Sequence, residues 1–404
     1  MKTIAIIGAG YGGLRAAEIL IKKSNDKDFS ILLIDQNPYH YMQTEVYGYI
    51  AGRFELSDIV IDLKRFSRGL GENVTFLQEK VTNIDAKHKI ITTEQNQIGY
   101  DYAIIAVGAK TNFFSFIEGA KEHTHGIKSL QRAFAFRQAF EQRIAMKLQN
   151  SRLKRAGDLH IAIAGAGLSG VEVAAEMAYT LEKYKKILSN EGKNIKISLI
   201  DAANSVLPGM HPYLIEVTQK RLEKLGVEIL TERFISQITN RYIKFKDGGK
   251  IDFDFVIFTA GIEGASLIEN LDVPKNKINQ VLPEKNLEIP NMKDVFVIGD
   301  CAQISDKQGN ILPPTAQIAE KSAAYVAEVI INREKRESTP PLKTSIDGLF
   351  IALGGKYAVG ILFDRIKVEG YLAYILKKAI TLFYRYGLEL KVNAGYKKRT
   401  LQTT

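Results

Sequence analysis

The sequence predicts an α/β fold assembled from two copies of one strand, turn, helix and strand unit, followed by an amphipathic C-terminal segment. Three observations carry that expectation. A glycine-rich turn behind a short apolar strand occurs twice, at 8–13 and at 165–170. Each turn is followed by a helical pattern and a second strand ending in an acid, Asp35 or Asp201. Near the end, residues 371–386 separate basic from apolar side chains at helical spacing. At 404 residues the chain exceeds one ordinary core. Its 46% apolar and 25% charged residues suit a globular protein.

The first unit reads strand 4–7, then Gly8-Ala-Gly10-Tyr-Gly-Gly13, a helix through residue 21, and strand 30–34 ending at Asp35. The second reads strand 161–164, then Gly165-Ala-Gly167-Leu-Ser-Gly170, a helix through about 188, and strand 196–200 ending at Asp201. These have the form of Rossmann βαβ units. The first glycine permits the tight turn, the second lets backbone approach a pyrophosphate, and the third lets helix and strand pack closely. Free N–H groups and the positive helix end hold the anion, and the acid accepts hydrogen bonds from ribose hydroxyls. A lone glycine fingerprint also fits a plain β-to-α turn without ligand. Two copies, each with its strand, helix and acid, favour dinucleotides.

Further strands are expected at 103–107 before Gly108, 255–259 before Gly261 and 295–298 before Gly299 and Asp300. Residues 183–194 are Lys-rich and read as an exposed helix end and loop, and 337–341 read as a linker. The expected division is 1–110 with 290–340 as one domain, 111–289 as a second, and 341–404 as a C-terminal segment. The net charge of +10 favours phosphates, nucleic acid or anionic lipid without choosing among them. Cys301 is the one cysteine, which excludes an intramolecular disulfide and a dithiol pair, and suits a reducing compartment. Beside Asp300 it reads as a small buried residue rather than a redox thiol. The first strand starts almost at residue 1, leaving no room for a signal or transit segment, so the protein is expected to stay where it is made. No residue spacing calls for a metal or a Ser-His-Asp arrangement.

At this point the chain resembles the flavoproteins with two dinucleotide-binding domains, and among them the type II NADH dehydrogenases, or NADH:quinone oxidoreductases. The resemblance rests on the paired turns, DQNPYHY at 35–41, YDYAIIAVGAKTNFF at 100–114, FTAGI at 258–262, VFVIGDCA at 295–302, PTAQIAEK at 314–321 and LGGKYAVG at 353–360. It implies that the first domain holds FAD, with Gly8, Ala9, Gly10, Tyr11, Gly12 and Gly13 at the pyrophosphate and Asp35, Gln36 and Asn37 at the adenosine ribose. By the same resemblance Val81 meets the adenine, Asp300 the ribityl chain, and Ala316 and Gln317 the isoalloxazine. The second domain would hold NADH through Gly165, Gly167, Gly170, Asp201 and Gly261. Glu172 matches an acid near nicotinamide and flavin and is the catalytic candidate. Its other reading is a complement to the helix dipole, worth about 0.3–1 kcal/mol. Gln317 and Lys321 would line the quinone pocket, where Lys321 replaces the last Gln of an Ala-Gln-x-Ala-x-Gln pattern. Lysine donates hydrogen bonds but accepts none.

On a helical wheel, Tyr374, Lys377, Lys378, Thr381 and Arg385 fill one arc, and Leu372, Ile375, Leu376, Ala379, Leu382, Phe383 and Tyr386 fill the opposite side. Basic residues at its centre make spanning a bilayer costly, at roughly 2.5–3.5 kcal/mol each. An interfacial helix is expected instead, with each basic residue near anionic lipid contributing roughly 1 kcal/mol and Lys391, Lys397, Lys398 and Arg399 adding to it. The alternative is a helix packed on the protein's own core or on a dimer partner.

The expected activity is hydride transfer from nicotinamide C4 to flavin N5, then two-electron reduction of a membrane quinone (menaquinone or ubiquinone) without proton pumping. The expected site is peripheral, on the cytoplasmic face of the cell membrane, with an anionic lipid surface as partner, a possible homodimer, and no nucleic acid. Two alternatives stay open: a soluble NADH-dependent reductase of a protein acceptor, and an NADH-sensing flavoprotein. NADH oxidation with and without a soluble quinone discriminates among them.

Overall fold

A computed structural model describes residues 1–24, 28–152, 158–189 and 195–402. Ile4, Ala5, Ile6 and Ile7 are all buried, so strand Lys2–Ile7 is apolar on both faces, as the middle of a covered parallel sheet requires. It pairs in parallel with Phe29–Asp35 and Tyr102–Ile105. Val74–Gln78 and Met292–Val297 extend the sheet on its two sides, and Glu288–Ile289 adds a short antiparallel edge. Residues from distant parts of the chain therefore share one core.

The second sheet repeats the plan. Leu159–Ala164 lies between Ile195–Ile200 and Phe255–Phe258, with Val227–Leu230 and His125–Gly126 at the edges, all parallel. The turn helices are Tyr11–Lys23 and Leu168–Ser189, the first two residues longer than the sequence suggested. Of the Lys-rich stretch at 183–194, the part to Ser189 is helical and 190–194 lie outside the described residues. Helix Ala316–Lys335, capped by Thr315 Oγ1 accepting from Ile318 N, covers the first turn helix. The chain leaving one sheet is tied to the chain leaving the other, because Ala109–Thr111 pairs antiparallel with Ile262–Gly264.

Residues 348–369 form a three-stranded antiparallel sheet, and Ile351, Val359 and Ile361 from it join the core around the second parallel sheet. The chain ends in a long helix, Gly370–Gln402. It crosses helix Leu63–Leu70 at glycines: a Cβ on Gly69 would lie 1.8 Å from the Lys391 carbonyl, and one on Gly395 2.0 Å from the Arg65 carbonyl. Only glycine allows two backbones to approach so closely.

The amphipathic pattern of this helix is real, but its basic side faces the protein. Lys377 pairs with Glu172, Arg385 with Asp58 at 2.9 Å and Glu389 at 2.7 Å, Lys391 with Glu18 at 2.5 Å, and Thr381 donates to Glu45 at 3.0 Å. The apolar arc is what remains outside, with Leu372, Ile375, Leu382 and Tyr386 exposed and Phe383 79% so. The expectation that Lys377, Arg385 and Lys391 meet anionic lipid is therefore overturned. Carboxylates contributed by three distant segments attract the basic arc, and a charge already paired has little left for a headgroup. Lys378 stays exposed. The side chains of Lys397, Lys398 and Arg399 lie outside the described residues.

Candidate functional site

The two glycine turns have the same geometry. Gly8 and Gly165 have positive φ, +101° and +105°, and an added Cβ would sit 2.5 Å from Ala106 or Ala260 backbone. Around Gly10 and Gly167 a Cβ would meet nothing within 4 Å. On Gly13 and Gly170 it would fall 1.9 and 1.8 Å from the carbonyl oxygens of Gly8 and Gly165. The first and third glycines are thus forced by packing, whereas the second faces open space that backbone N–H groups can present to an anion. Helix Tyr11–Lys23 has no side-chain cap at Gly10, so its first N–H groups keep their capacity to donate.

The acids are placed alike as well. Asp35 Oδ2 accepts from Ala9 N at 2.8 Å and Oδ1 from Asn37 N at 2.8 Å. Asp201 accepts from Ala166 N at 2.6 Å and Ala203 N at 2.8 Å. Each carboxylate locks its own glycine turn to the end of the next strand, a role the ribose argument did not include. Burial raises the Asp35 pKa above the usual carboxylate value, against these backbone donors.

A cavity of about 810 Å³ opens beside the first turn, within the roughly 300–1,000 Å³ range of ligand sites. Gly8, Ala9, Gly10, Asp35, Gln36, Asn37 and Val81 line it, together with Lys80, Lys128 and Arg132. An elongated dianionic nucleotide fits this donor set: open backbone at Gly10, an acid at the strand end and cations along the wall. The sequence reading missed Lys128, whose Nζ lies 3.1 Å from Gln43 Oε1 and 3.4 Å from Asp300 Oδ2. No local motif marks it. Its role arises because residues 43, 128 and 300 converge.

Other expected residues lie apart from that wall. Gly12 packs against Ile298 and the Ala319 carbonyl. Tyr11 turns its ring toward the C-terminal helix, stacking on Tyr384 at 4.9 Å and edge-on to His40 at 5.0 Å. His40, 1% exposed, bonds Ala9 O at 3.0 Å through Nδ1 and Tyr384 OH at 3.1 Å through Nε2. A carbonyl can only accept, so Nδ1 carries a proton, and burial lowers the imidazole pKa to about 4, which favours the neutral ring. The terminal helix is thereby fastened to the first glycine turn. Gly261 abuts the Phe114 ring, which a Cβ would approach to 2.7 Å.

Glu172 is 5% exposed, and its Oε1 accepts from Ala352 N at 2.6 Å and from Lys377 Nζ. Glu45 and Glu176 flank it, both with pKa raised by burial, and Arg53 pairs with Glu176 at 2.5 Å. Neither a dipole complement nor a free acid describes this group; it is one member of a buried cluster that the terminal helix completes. Gln317 and Lys321 lie one turn apart on helix Ala316–Lys335 and both hold the 345–347 segment. Cys301 is fully buried, which pushes its thiol up to about 12 and leaves it inert as a nucleophile. No group of side chains suited to a metal occurs among the described residues.

Comparison with protein families matches residues 2–323 to the pyridine nucleotide-disulphide oxidoreductase family. The NADH dehydrogenase-like protein YutJ of Bacillus subtilis is 28% identical over 96% of this chain and 99% of its own length. A type II NADH:quinone oxidoreductase of Staphylococcus aureus is 29% identical over 94% of each chain. Among solved structures, NDH2 of Plasmodium falciparum in complex with NADH superposes with a TM-score of 0.82 at 20% identity, covering 99% of this chain and 98% of that one. The sulfide:quinone oxidoreductase of Aquifex aeolicus gives 0.80 at 19% identity, covering 100% and 95%. At these identities the structural likeness speaks for the fold.

Proposed function

Because the chain belongs to the pyridine nucleotide-disulphide oxidoreductase family, we propose that it is an FAD-dependent oxidoreductase that oxidises NADH and reduces a quinone. The observation that carries this reading is the duplicated turn, with the same three glycine environments and the same acid lock in both units. The names of the relatives, which align over nearly the whole chain, supply the acceptor class. The inert Cys301 argues against the thiol chemistry found elsewhere on this fold.

Bound FAD supplies hydride acceptance and onward two-electron release. The chain's own part is to bind and orient. Gly8, Ala9, Gly10, Asp35, Gln36, Asn37, Val81, Lys128 and Asp300 would hold the flavin nucleotide, and Gly165, Gly167, Gly170, Asp201 and Gly261 the NADH. Ala316 and Gln317 would border the ring system. Anaerobic NADH should bleach the flavin absorbance of the purified protein, and a soluble quinone should restore it. A protein without bound flavin, or one reoxidised no faster by quinone than by buffer, refutes the assignment.

NADH is expected over NADPH by at least about tenfold in kcat/KM, because like charges placed together cost several kcal/mol and Asp201 would face a 2′-phosphate. Ala202, Ala203 and Asn204 offer no cation. Arg233, whose N–H reaches the Asp201 carbonyl at 2.9 Å, has its guanidinium on Asp247. Equal kcat/KM values at matched ionic strength would refute the preference.

Glu172 is proposed as the acid at the nicotinamide side, held by Lys377. In Glu172→Gln, FAD should stay bound while NADH-dependent flavin reduction or its coupling to quinone slows by about a hundredfold, the lower end of general acid–base effects. Wild-type rates in both steps would reduce Glu172 to a docking contact for the terminal helix.

Among the described residues no helix is long and apolar enough to cross a membrane. The outward apolar arc suits a peripheral seat on the cytoplasmic face of the cell membrane, where a long-chain quinone is dissolved. A homodimer built on the same arc is the competing use of that surface.

A further inference from the structure

Lys321 occupies the position where the quinone-reducing pattern has a glutamine, and its ammonium is held by the protein itself. Nζ donates to the Ser345 carbonyl at 2.8 Å and to Asp347 Oδ1 at 2.6 Å. One helical turn earlier, Gln317 Oε1 accepts from Asp347 N at 2.9 Å. A backbone N–H can only donate, so the amide atom facing it must be the oxygen, and the orientation of the Gln317 side chain is fixed. The amide nitrogen then points away from residue 347, and no acceptor for it occurs among the described residues.

We infer that Lys321 and Asp347 form a positioning clamp that holds the Gln317 amide with its NH2 group available to a carbonyl oxygen of the electron acceptor, and so set acceptor affinity. This rests on the quinone reading above and names how this chain serves it. The clamp follows from helix geometry. Residues 317 and 321 share one face, and both hold the short stretch that leads into strand Gly348–Ala352. Glutamine at 321 has a shorter side chain and no charge, and would lose the ion pair with Asp347. The chain here has thus exchanged a second amide for a cation that fixes the first one. The same stretch is braced from the other side, where Phe363 N donates to the Asp347 carbonyl at 2.8 Å.

The ion pair is partly exposed, with side chains 31% and 51% accessible, so the expected effects are modest and specific. In the flavin-loaded enzyme, Lys321→Met and Asp347→Asn should each raise KM and the calorimetric Kd for a short-chain ubiquinone analogue by about two- to fivefold. FAD content and the stopped-flow rate of flavin reduction by NADH should not change. The double variant should be no worse than either single, and Lys321→Arg should restore most of the affinity. If Lys321 instead touched the acceptor, Lys321→Met would weaken binding while Asp347→Asn left it unchanged or tighter. That outcome, or additive losses in the double variant, overturns the clamp. Amide hydrogen exchange tests it without quinone: the 345–349 segment should exchange several-fold faster in Lys321→Met, and unchanged exchange refutes the clamp. Wild-type enzyme that neither binds nor reduces the analogue refutes the quinone reading alone, and the exchange result then still decides the clamp.

Discussion

Substituting Gly170 with alanine is expected to leave a flavin-loaded protein whose reduction by NADH falls by at least about a hundredfold. The added Cβ would lie 1.8 Å from the Gly165 carbonyl and 2.9 Å from Thr259 Oγ1, so the turn must open. Overpacking of this kind costs about 1–3 kcal/mol or more, and here it is concentrated where the N–H groups must converge on one anion. Dithionite should still bleach the flavin, showing that the cofactor is intact. Gly13→Ala makes the corresponding clash, 1.9 Å from the Gly8 carbonyl, and should yield colourless protein. The pair of variants assigns the nucleotides to their units: if Gly170→Ala is the colourless one, the assignment is reversed.

The second large effect concerns the terminal helix. Changing Leu382, Phe383 and Tyr386 together to serine should abolish sedimentation with liposomes while preserving flavin content. Full burial of a large apolar side chain contributes about 1.5–3 kcal/mol. Three such exposed side chains should therefore supply about 4–5 kcal/mol, or on the order of a thousandfold in partitioning. These side chains face outward, so replacing them leaves the core undisturbed. Truncation is a poorer test, because it would remove Leu388, the His40-bound Tyr384 and the Glu172-bound Lys377 from the interior. Lys377 and Arg385, already paired internally, are not expected to contribute to capture by anionic liposomes. A triple variant that still sediments but no longer self-associates would identify the arc as a dimer surface.

What the sequence determined by itself was everything governed by local spacing. Glycine periodicity, apolar runs buried on both faces and an acid closing the second strand of each unit are short-range patterns. The two turns at Gly8 and Gly165 and the packing roles of the first and third glycines were therefore legible from one dimension. The segregation of Lys377, Thr381 and Arg385 from Leu382 and Phe383 was legible for the same reason. The tertiary structure alone decided which way that helix faces, because the answer depends on Glu45, Asp58 and Glu172, carboxylates far away in sequence. It likewise placed Lys128 beside Asp300 and paired Lys321 with Asp347. A charge has no preferred neighbour in sequence; its partner is whichever opposite charge the fold brings within a few ångströms, where Coulomb attraction outweighs hydration.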